Sequence, residues 1–297
     1  MVIWLAWLLV ATIIMAILIE SKRECSKFSV ETQIIRSSKI SKPYRFVFLS
    51  DLHECVFGND NDILVEAIRD SHPDSILIGG DMVNVQNKGV EKRVTEDLIG
   101  NLVELGPVYY ANGNNELRFL WDGERIAAEY QEFLNVLKKH NVHYLDNESA
   151  VFGDVRITGL NIEYEHYREF VCKKLTTDYI QSAVGESDPG RYNILLIHSP
   201  LFPEVYWDWG ADLALSGHSH GGLFRFPTDR RKEPGRLNND RGLISGQYQL
   251  FHKYCSGYFE NADGQVMVVS RGLGTHGVNI RVNNIPQLIV VDLKPEV

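Results

Sequence analysis

The most regular hydrophobic pattern lies at the N-terminus, where residues 2–19 form an unbroken apolar run. At about 1.5 Å per residue, a helix of this length spans about 27 Å, close to the roughly 30 Å hydrocarbon core of a bilayer. A cleavable signal peptide has a basic start and small residues at its cleavage site, whereas no Lys or Arg precedes this run. The pattern favours an uncleaved transmembrane anchor over residues 1–20, with a signal peptide as the alternative.

Basic residues near this run lie only on its C-terminal side. They are Lys22, Arg23, Lys27, Arg36, Lys39, Lys42 and Arg45. Positive residues flanking a membrane span tend to stay in the cytoplasm. We therefore expect a single-pass protein of the cell membrane whose large domain is cytoplasmic.

The pattern beyond the anchor changes twice. Residues 21–43 are polar and mixed, which predicts a linker with one short strand over 31–36. From residue 44, short apolar runs alternate with helical spacing, which predicts α/β units with ligands beyond the carboxyl ends of the strands. The predicted strands cover 45–50, 75–79 and 108–111, and the predicted helices cover 62–71, 91–105 and 123–140. After residue 142 short strands dominate, over 150–152, 155–158, 194–197, 213–215, 266–269 and 288–291. Residues 44–294 are therefore predicted to form one α/β domain.

The amino-acid composition argues against several classes of protein. The 297 residues are 44% hydrophobic and 23% charged, which is ordinary for a folded chain and excludes intrinsic disorder. Since 39 acidic residues oppose 30 basic ones, the net charge of −9 argues against non-specific binding of nucleic acid. The four cysteines form no C-x-x-C pair, which is consistent with a reducing compartment.

Several apolar strands are followed directly by side chains that can bind metal. These side chains are Asp51, His53, Asp81, Asn114, His198, His218 and His220. Carboxylate and amide oxygens mixed with imidazole nitrogens suit Mn, Fe or Zn better than Ca or Mg alone. In D-x-H and H-x-H, residues two apart on an extended backbone point the same way, so each pair can face one site.

Each of these residues also has an ordinary structural explanation. His198 alone resembles a core histidine, Asp51 and Asp81 can cap helices, and Asn114 after Gly113 is typical of a turn. Turns and caps do not explain why all five segments follow apolar strands. The combined pattern indicates a metal site.

The order of these segments resembles the calcineurin-like metallophosphoesterase superfamily, whose pattern is D-x-H, G-D, G-N-H-[DE], a lone H and G-H-x-H. The resemblance covers about residues 44–293 and is strongest to the bacterial membrane-anchored branch, through residues 269–275, Gly277 and Arg281. It implies a four-layered α/β sandwich of two mixed sheets flanked by helices, here preceded by one N-terminal transmembrane helix.

The resemblance also implies the site. Asp51, His53 and His220 would bind one divalent metal ion and Asn114, His198 and His218 the other, with Asp81 bridging both. A metal-bound hydroxide would then attack a phosphodiester or pyrophosphate bond. The anchor favours a membrane lipid precursor as substrate. The alternatives are a phosphodiesterase of soluble nucleotides and a weakly active or non-catalytic, metal-stabilised phosphate-binding protein.

One position departs from the family pattern, because Asn115 replaces the usual His in G-N-N-E. That His is assigned to protonation of the leaving group, which Asn cannot perform, although its amide can donate a hydrogen bond. With Asp81, we nevertheless assign Asn115 as a catalytic residue. The departure predicts a preference for pyrophosphate bonds or activated esters, with His166 and His276 as candidate replacement proton donors.

Two further features have alternatives that the sequence leaves open. The basic segment from Arg225 to Arg241 either lines the entrance and binds a phosphate or is a solvated loop. Arg271 either reaches the site or braces its own loop.

Overall fold

The computed structural model describes residues 2–84, 92–121, 124–167, 173–225, 237, 242–244, 253–275 and 280–296. The described helices are α1 (Val2–Cys25), α2 (Asp62–Asp70), α3 (Lys92–Val103), α4 (Asn114–Trp121), α5 (Glu124–Lys139), α6 (Thr177–Val184) and α7 (Pro203–Trp209). Local chemistry sets several ends. For example, α7 starts with a proline, which needs no amide partner there, and is followed by Gly210 in the left-handed region.

The strands form two six-stranded mixed sheets and a small ribbon. The strands are β1 (Ser29–Ser37), β2 (Tyr44–Leu49), β3 (Ser75–Ile78), β4 (Val108–Tyr110), β5 (His143–Tyr144), β6 (Ser149–Phe152), β7 (Val155–Gly159), β8 (Tyr192–Leu196), β9 (Leu213–Ser216), β10 (Phe224–Arg225), β11 (Gly242–Ile244), β12 (Gly257–Glu260), β13 (Val266–Val269) and β14 (Gln287–Pro295). The first sheet has the order β1-β14-β2-β3-β4-β5, the second β12-β13-β9-β8-β7-β6, and β10 pairs with β11.

Parallel pairing places the functional loops at one edge of each sheet. Strands β2 to β5 are mutually parallel, as are β7, β8, β9 and β13. Their carboxyl ends therefore lie side by side, where the side chains of following loops can meet.

Successive side chains of a strand point to opposite faces of its sheet, and this alternation determines the layer in which each side chain packs. Phe46 and Phe48 of β2 pack in the cluster between the sheets, whereas Val47 and Leu49 face the cluster that contains residues of α2, α3 and α5. A third cluster packs the outer face of the second sheet against α6 and α7. The result is the predicted four-layered sandwich, and the fold class is confirmed.

The strand predictions agree with the structure to within one or two residues at most ends, apart from the longer β14. The predictions did not include α4, α6, α7, β5, β10, β11 or β12, because these elements are too short to show a clear period. The strand predicted within residues 21–43 is β1, which pairs in parallel with β14 over its whole length. The division into anchor, linker and domain stays a prediction.

Helix α1 projects its apolar residues into solvent, and large side chains such as Trp4 and Trp7 are exposed. By length and composition it is the one described helix able to cross a membrane, a property that a signal sequence near an N-terminus shares. Its last turn differs from the rest, because Ser21 and Glu24 are each only 3% exposed.

Candidate metal centre

Loops from both sheets bring the predicted metal ligands to one place. Asp51 and His53 follow β2, and Asp81 follows β3 in the same sheet. His198 follows β8 and His220 follows β9 in the other sheet. The centre therefore lies where the carboxyl ends of the two sheets meet.

The ligand atoms form two groups, each with its atoms within 4.8 Å of one another. One group is Asp51, His53 and His220, and the other is Asp51, Asp81 and His198. The Nε2 atoms of His53 and His220 are 3.2 Å apart, and His198 Nε2 lies 3.6 Å from Asp51 Oδ1. Because Asp51 belongs to both groups, two cations bound here would be neighbours.

Two of the histidine rings are oriented by backbone carbonyls. The Nδ1 atom of His198 lies 2.7 Å from the Gly79 oxygen, and that of His220 lies 3.1 Å from the Gly274 oxygen. A hydrogen bond from Nδ1 to a carbonyl leaves Nε2 as the atom that can bind a metal, which is the usual arrangement around metal-bound histidines.

The hydrogen bonding of the buried polar atoms indicates whether these residues could bind a metal ion. Asn114 Oδ1 and His198 Nε2 are both buried and have no hydrogen-bond partner. Buried polar atoms nearly always have a hydrogen-bond partner. Two that lack one, in a set of carboxylate, amide and imidazole groups, are therefore suited to bind a cation. His218 lies beside this set, with its ring 5.3 Å from that of His198.

The backbone at these residues is left-handed rather than extended. The φ angles are 52° at Asp51, 47° at His53, 54° at Asp81, 68° at His218 and 50° at His220. The expectation that residues two apart converge because the backbone is extended is therefore wrong. Tight loop turns aim these side chains instead, and such strained conformations persist only where surrounding contacts enforce them.

Glu116 connects the loops that follow β3 and β4. Its buried carboxylate accepts hydrogen bonds from the amides of Asp81, Met82 and Gly113, at 2.8, 2.9 and 2.8 Å. It also accepts one from the Tyr110 hydroxyl at 2.7 Å. Burial and the nearby Asp81 charge raise the pKa of Glu116. Glu116, the acidic residue of G-N-N-E, thus holds the loops of the site together. This role was not predicted from the sequence.

Asn115 contacts the Asp81 carboxylate twice. Its backbone amide donates to Oδ1 at 2.7 Å, and its side-chain amide donates to Oδ2 at 2.6 Å. The side chain is fully buried. The amide that replaces the family's His therefore orients a carboxylate of the centre.

Charge and burial act in opposite directions at this centre. Burial lowers the pKa of His198, but the Asp81 and Asp51 carboxylates outweigh it and raise that pKa to about 10. Burial raises the pKa of Asp81, yet His198 and His53 together hold it well below its usual range. Burial and the neighbouring His198 lower the pKa of His218 to about 3. Without metal, the carboxylates thus retain a proton on His198 that a divalent cation can replace.

The structure places the remaining candidates as follows. His166 is buried, its Nδ1 lies 2.8 Å from the Lys173 oxygen, and its ring packs edge-on against Tyr179. Arg271 donates to Ser29 and Glu31 of β1, so this side chain braces its loop against the first sheet. His276 and all of the basic segment except Arg225 and Leu237 lie outside the described residues.

Tyr167 is a further buried residue of the site that was not predicted from the sequence; its ring packs edge-on against that of His218, with centroids 5.2 Å apart. Burial, with the Asp81 charge as the next contribution, raises its pKa well above the usual value. No local motif marks this tyrosine, since it follows a 3₁₀ turn, Tyr164–His166, in an irregular stretch.

Three relatives are similar in sequence to most of this chain. Protein YpbG of Bacillus subtilis, described as uncharacterized, is 29% identical over 84% of this chain and 81% of its own. The uncharacterized metallophosphoesterase Cj0846 of Campylobacter jejuni is 25% identical over 90% of this chain but 62% of its own. Phosphodiesterase YaeI of Escherichia coli is 25% identical over 84% of this chain and 82% of its own.

The family itself is shown by a family-model match over more than half of the chain. The model of the calcineurin-like phosphoesterase family matches residues 44–222, which include all seven predicted metal ligands. The resemblance inferred from the motifs is thereby confirmed at the level of the superfamily. The chain belongs to the calcineurin-like phosphoesterase family and is a metal-dependent phosphoester hydrolase.

Proposed function

We propose that this protein uses two divalent cations to hydrolyse a phosphodiester or pyrophosphate bond presented at a membrane surface. The observation that carries the proposal is the pair of ligand groups that share Asp51. Two adjacent cations supply an activated water and neutralise the charge of the phosphoryl group when they are bound.

The proposed ligands divide into two sets. Asp51, His53 and His220 would hold one cation, and Asn114, His198 and His218 would hold the other. Asp81 would contribute to both, which is supported by its Oδ2 atom lying 3.7 Å from His53 Nε2 and 3.4 Å from His198 Nε2. The unpartnered Asn114 Oδ1 supports its place in the second set.

Asn115 determines which substrates suit the site. Its side-chain amide donates to Asp81, and an amide has no proton to give to a leaving group. An alkoxide leaves poorly without a proton, whereas a phosphate or an aryloxide leaves readily. The proposed substrates are therefore diphosphates and activated diesters rather than alkyl monoesters.

Helix α1 is proposed to be a membrane anchor, with the catalytic domain on the cytoplasmic side. The basic residues Lys22, Arg23 and Lys27 after its apolar part support this orientation. An anchored enzyme meets substrates of the same bilayer at high local concentration. This favours a lipid-borne phosphoester, with a soluble nucleotide as the other candidate.

The first experiment measures Mn²⁺-dependent hydrolysis of bis-p-nitrophenyl phosphate by the full-length chain in detergent micelles. We expect turnover that EDTA abolishes, and its complete absence with every divalent cation tested would contradict the proposed reaction. Equal turnover of a simple alkyl phosphate and a diphosphate would contradict the role of Asn115.

A second assay separates the two substrate sources. The full-length enzyme is given a lipid diphosphate in mixed micelles and a water-soluble nucleoside diphosphate ester at the same bulk concentration. A lipid-directed enzyme prefers the former, and its rate falls when the lipid is diluted with detergent. A preference for the soluble ester would indicate a nucleotide phosphodiesterase.

A further inference from the structure

The last turn of α1 is packed into the domain, although the preceding apolar turns are exposed. The Ser21 hydroxyl accepts a hydrogen bond of 3.0 Å from the amide of Arg281. One turn later, Glu24 Oε2 accepts a hydrogen bond of 2.8 Å from the amide of Asn284. These partners lie 260 positions away in the sequence, so the contacts join the helix to the C-terminal part of the domain.

Arg281 and Asn284, the partners in these two contacts, are in turn connected to His220 by hydrogen bonds. The Arg281 side chain donates to the Gly274 carbonyl at 2.6 Å, and that carbonyl lies 3.1 Å from His220 Nδ1. The Asn284 side chain donates to the His220 carbonyl at 2.7 Å and also to that of Gly222. One route therefore orients the imidazole ring, and the other fixes the backbone that carries it.

The backbone of His220 has a conformation that depends on stabilising contacts from its neighbours. Its φ of 50° is unfavourable for a residue with a side chain, and Gly221 and Gly222 after it also have positive φ angles. Arg281 is almost fully buried and also donates to the carbonyls of Arg271 and Asn284. A loop of this kind keeps its shape only while its neighbours hold it.

We propose that Ser21 and Glu24 are positioning residues for His220, which makes helix α1 a permanent structural part of the metal centre. The inference rests on the proposed metal-binding role of His220. It also gives the helix a second function, because the apolar run ends two residues before Ser21, a rise of about 3 Å. The centre is thereby held next to the surface from which the helix emerges, within reach of phosphoesters in the headgroup layer.

The test measures metal binding by the full-length protein in detergent, with Co²⁺ as the probe, by equilibrium dialysis and by the visible absorption of the bound ion. Glu24→Ala and Ser21→Ala are each expected to weaken the binding of one Co²⁺ about tenfold and to change its spectrum. Glu24→Gln keeps an oxygen acceptor for the Asn284 amide and is expected to restore wild-type binding. Lys22→Ala, an exposed position on the same turn, is the matched control and is expected to change neither.

Unchanged Co²⁺ affinity in both alanine variants would overturn the proposal. If Glu24→Ala fails to fold, Ser21→Ala alone decides in the same way. The intact mass of the mature protein gives an independent check, because a chain that begins after Cys25 has lost both residues and overturns the proposal. A wild-type protein that binds two Co²⁺ ions but hydrolyses no phosphoester would refute the proposed function, while the affinity measurements still decide on Ser21 and Glu24.

Discussion

Glu116 accepts a hydrogen bond of 2.8 Å from the backbone amide of Asp81, although Glu116 lies in helix α4 and Asp81 in the loop after β3. Replacing Glu116 by Gln turns one acceptor oxygen into a donor, which then opposes backbone amides that also donate. Because the carboxylate is fully buried, we expect Glu116→Gln to lower the free energy of unfolding by about 2–4 kcal/mol.

Urea denaturation of the metal-free protein measures this change. The exposed Glu148→Gln is the matched control and is expected to stay within about 0.5 kcal/mol of wild type. A Glu116→Gln protein as stable as this control would show that the buried carboxylate is dispensable.

The proposed position of Asp81 between the two cations predicts unequal losses of metal. Since its Oδ2 atom lies near a histidine of each set, Asp81→Ala is expected to reduce bound metal from two ions per chain toward none. His53 belongs to one proposed set only, so His53→Ala is expected to leave about one ion. Elemental analysis after dialysis against a metal buffer distinguishes these stoichiometries, and two retained ions in Asp81→Ala would refute the shared ligand.

Gly217 lies directly against the Asp51 carboxylate. A methyl group added at this glycine would overlap Asp51 Oδ2, so Gly217→Ala must displace either the loop or the ligand. We expect Gly217→Ala to weaken metal binding at least about tenfold. Gly190→Ala is the control, because its added methyl group meets only the Asp188 side chain at 3.3 Å. Equal metal affinities in the two variants would contradict the overlap.

The ion pair between Arg45 and Asp292 predicts a pH dependence of stability. The hydrogen bonds from Arg45 lower the pKa of Asp292 in the folded protein, with an N–O distance of 2.6 Å. A lowered carboxyl pKa adds stability above the unfolded value of about 4, and this contribution is lost as the pH falls through the folded pKa.

We therefore expect Asp292→Asn to cost about 1 kcal/mol at pH 7, since Arg45 is partly exposed, and to cost little at pH 2–3. Urea denaturation at both pH values measures the difference. The exposed Asp70→Asn serves as control, and a cost for Asp292→Asn that is the same at both values would contradict the ionic explanation.

The apolar pattern was sufficient to predict most strands and five of the clustered side chains, whereas the four layers followed only from the resemblance to the family. Strands such as β3 and β8 are buried along their whole length, so uninterrupted apolar runs marked them, and the polar residue that ends each run marked the site. The φ angles of Asp51 and His220 were not predictable, because only the surrounding contacts force these residues into the left-handed region. The docking of Ser21 on Arg281 depends on residues that meet only in the folded protein, and no local pattern reports it.

The left-handed backbone at the metal centre restricts how the site can be redesigned. Aspartate and histidine tolerate positive φ angles better than most residues, and β-branched residues tolerate them least. Exchanging ligands at Asp51 or His220 to alter metal selectivity therefore carries a conformational cost in addition to the change in chemistry. Asn114 and His198 are not among the residues with positive φ, so substitutions there avoid this cost. A change of metal preference is therefore expected to cost less folding energy when it is introduced at these two positions than at Asp51 or His220.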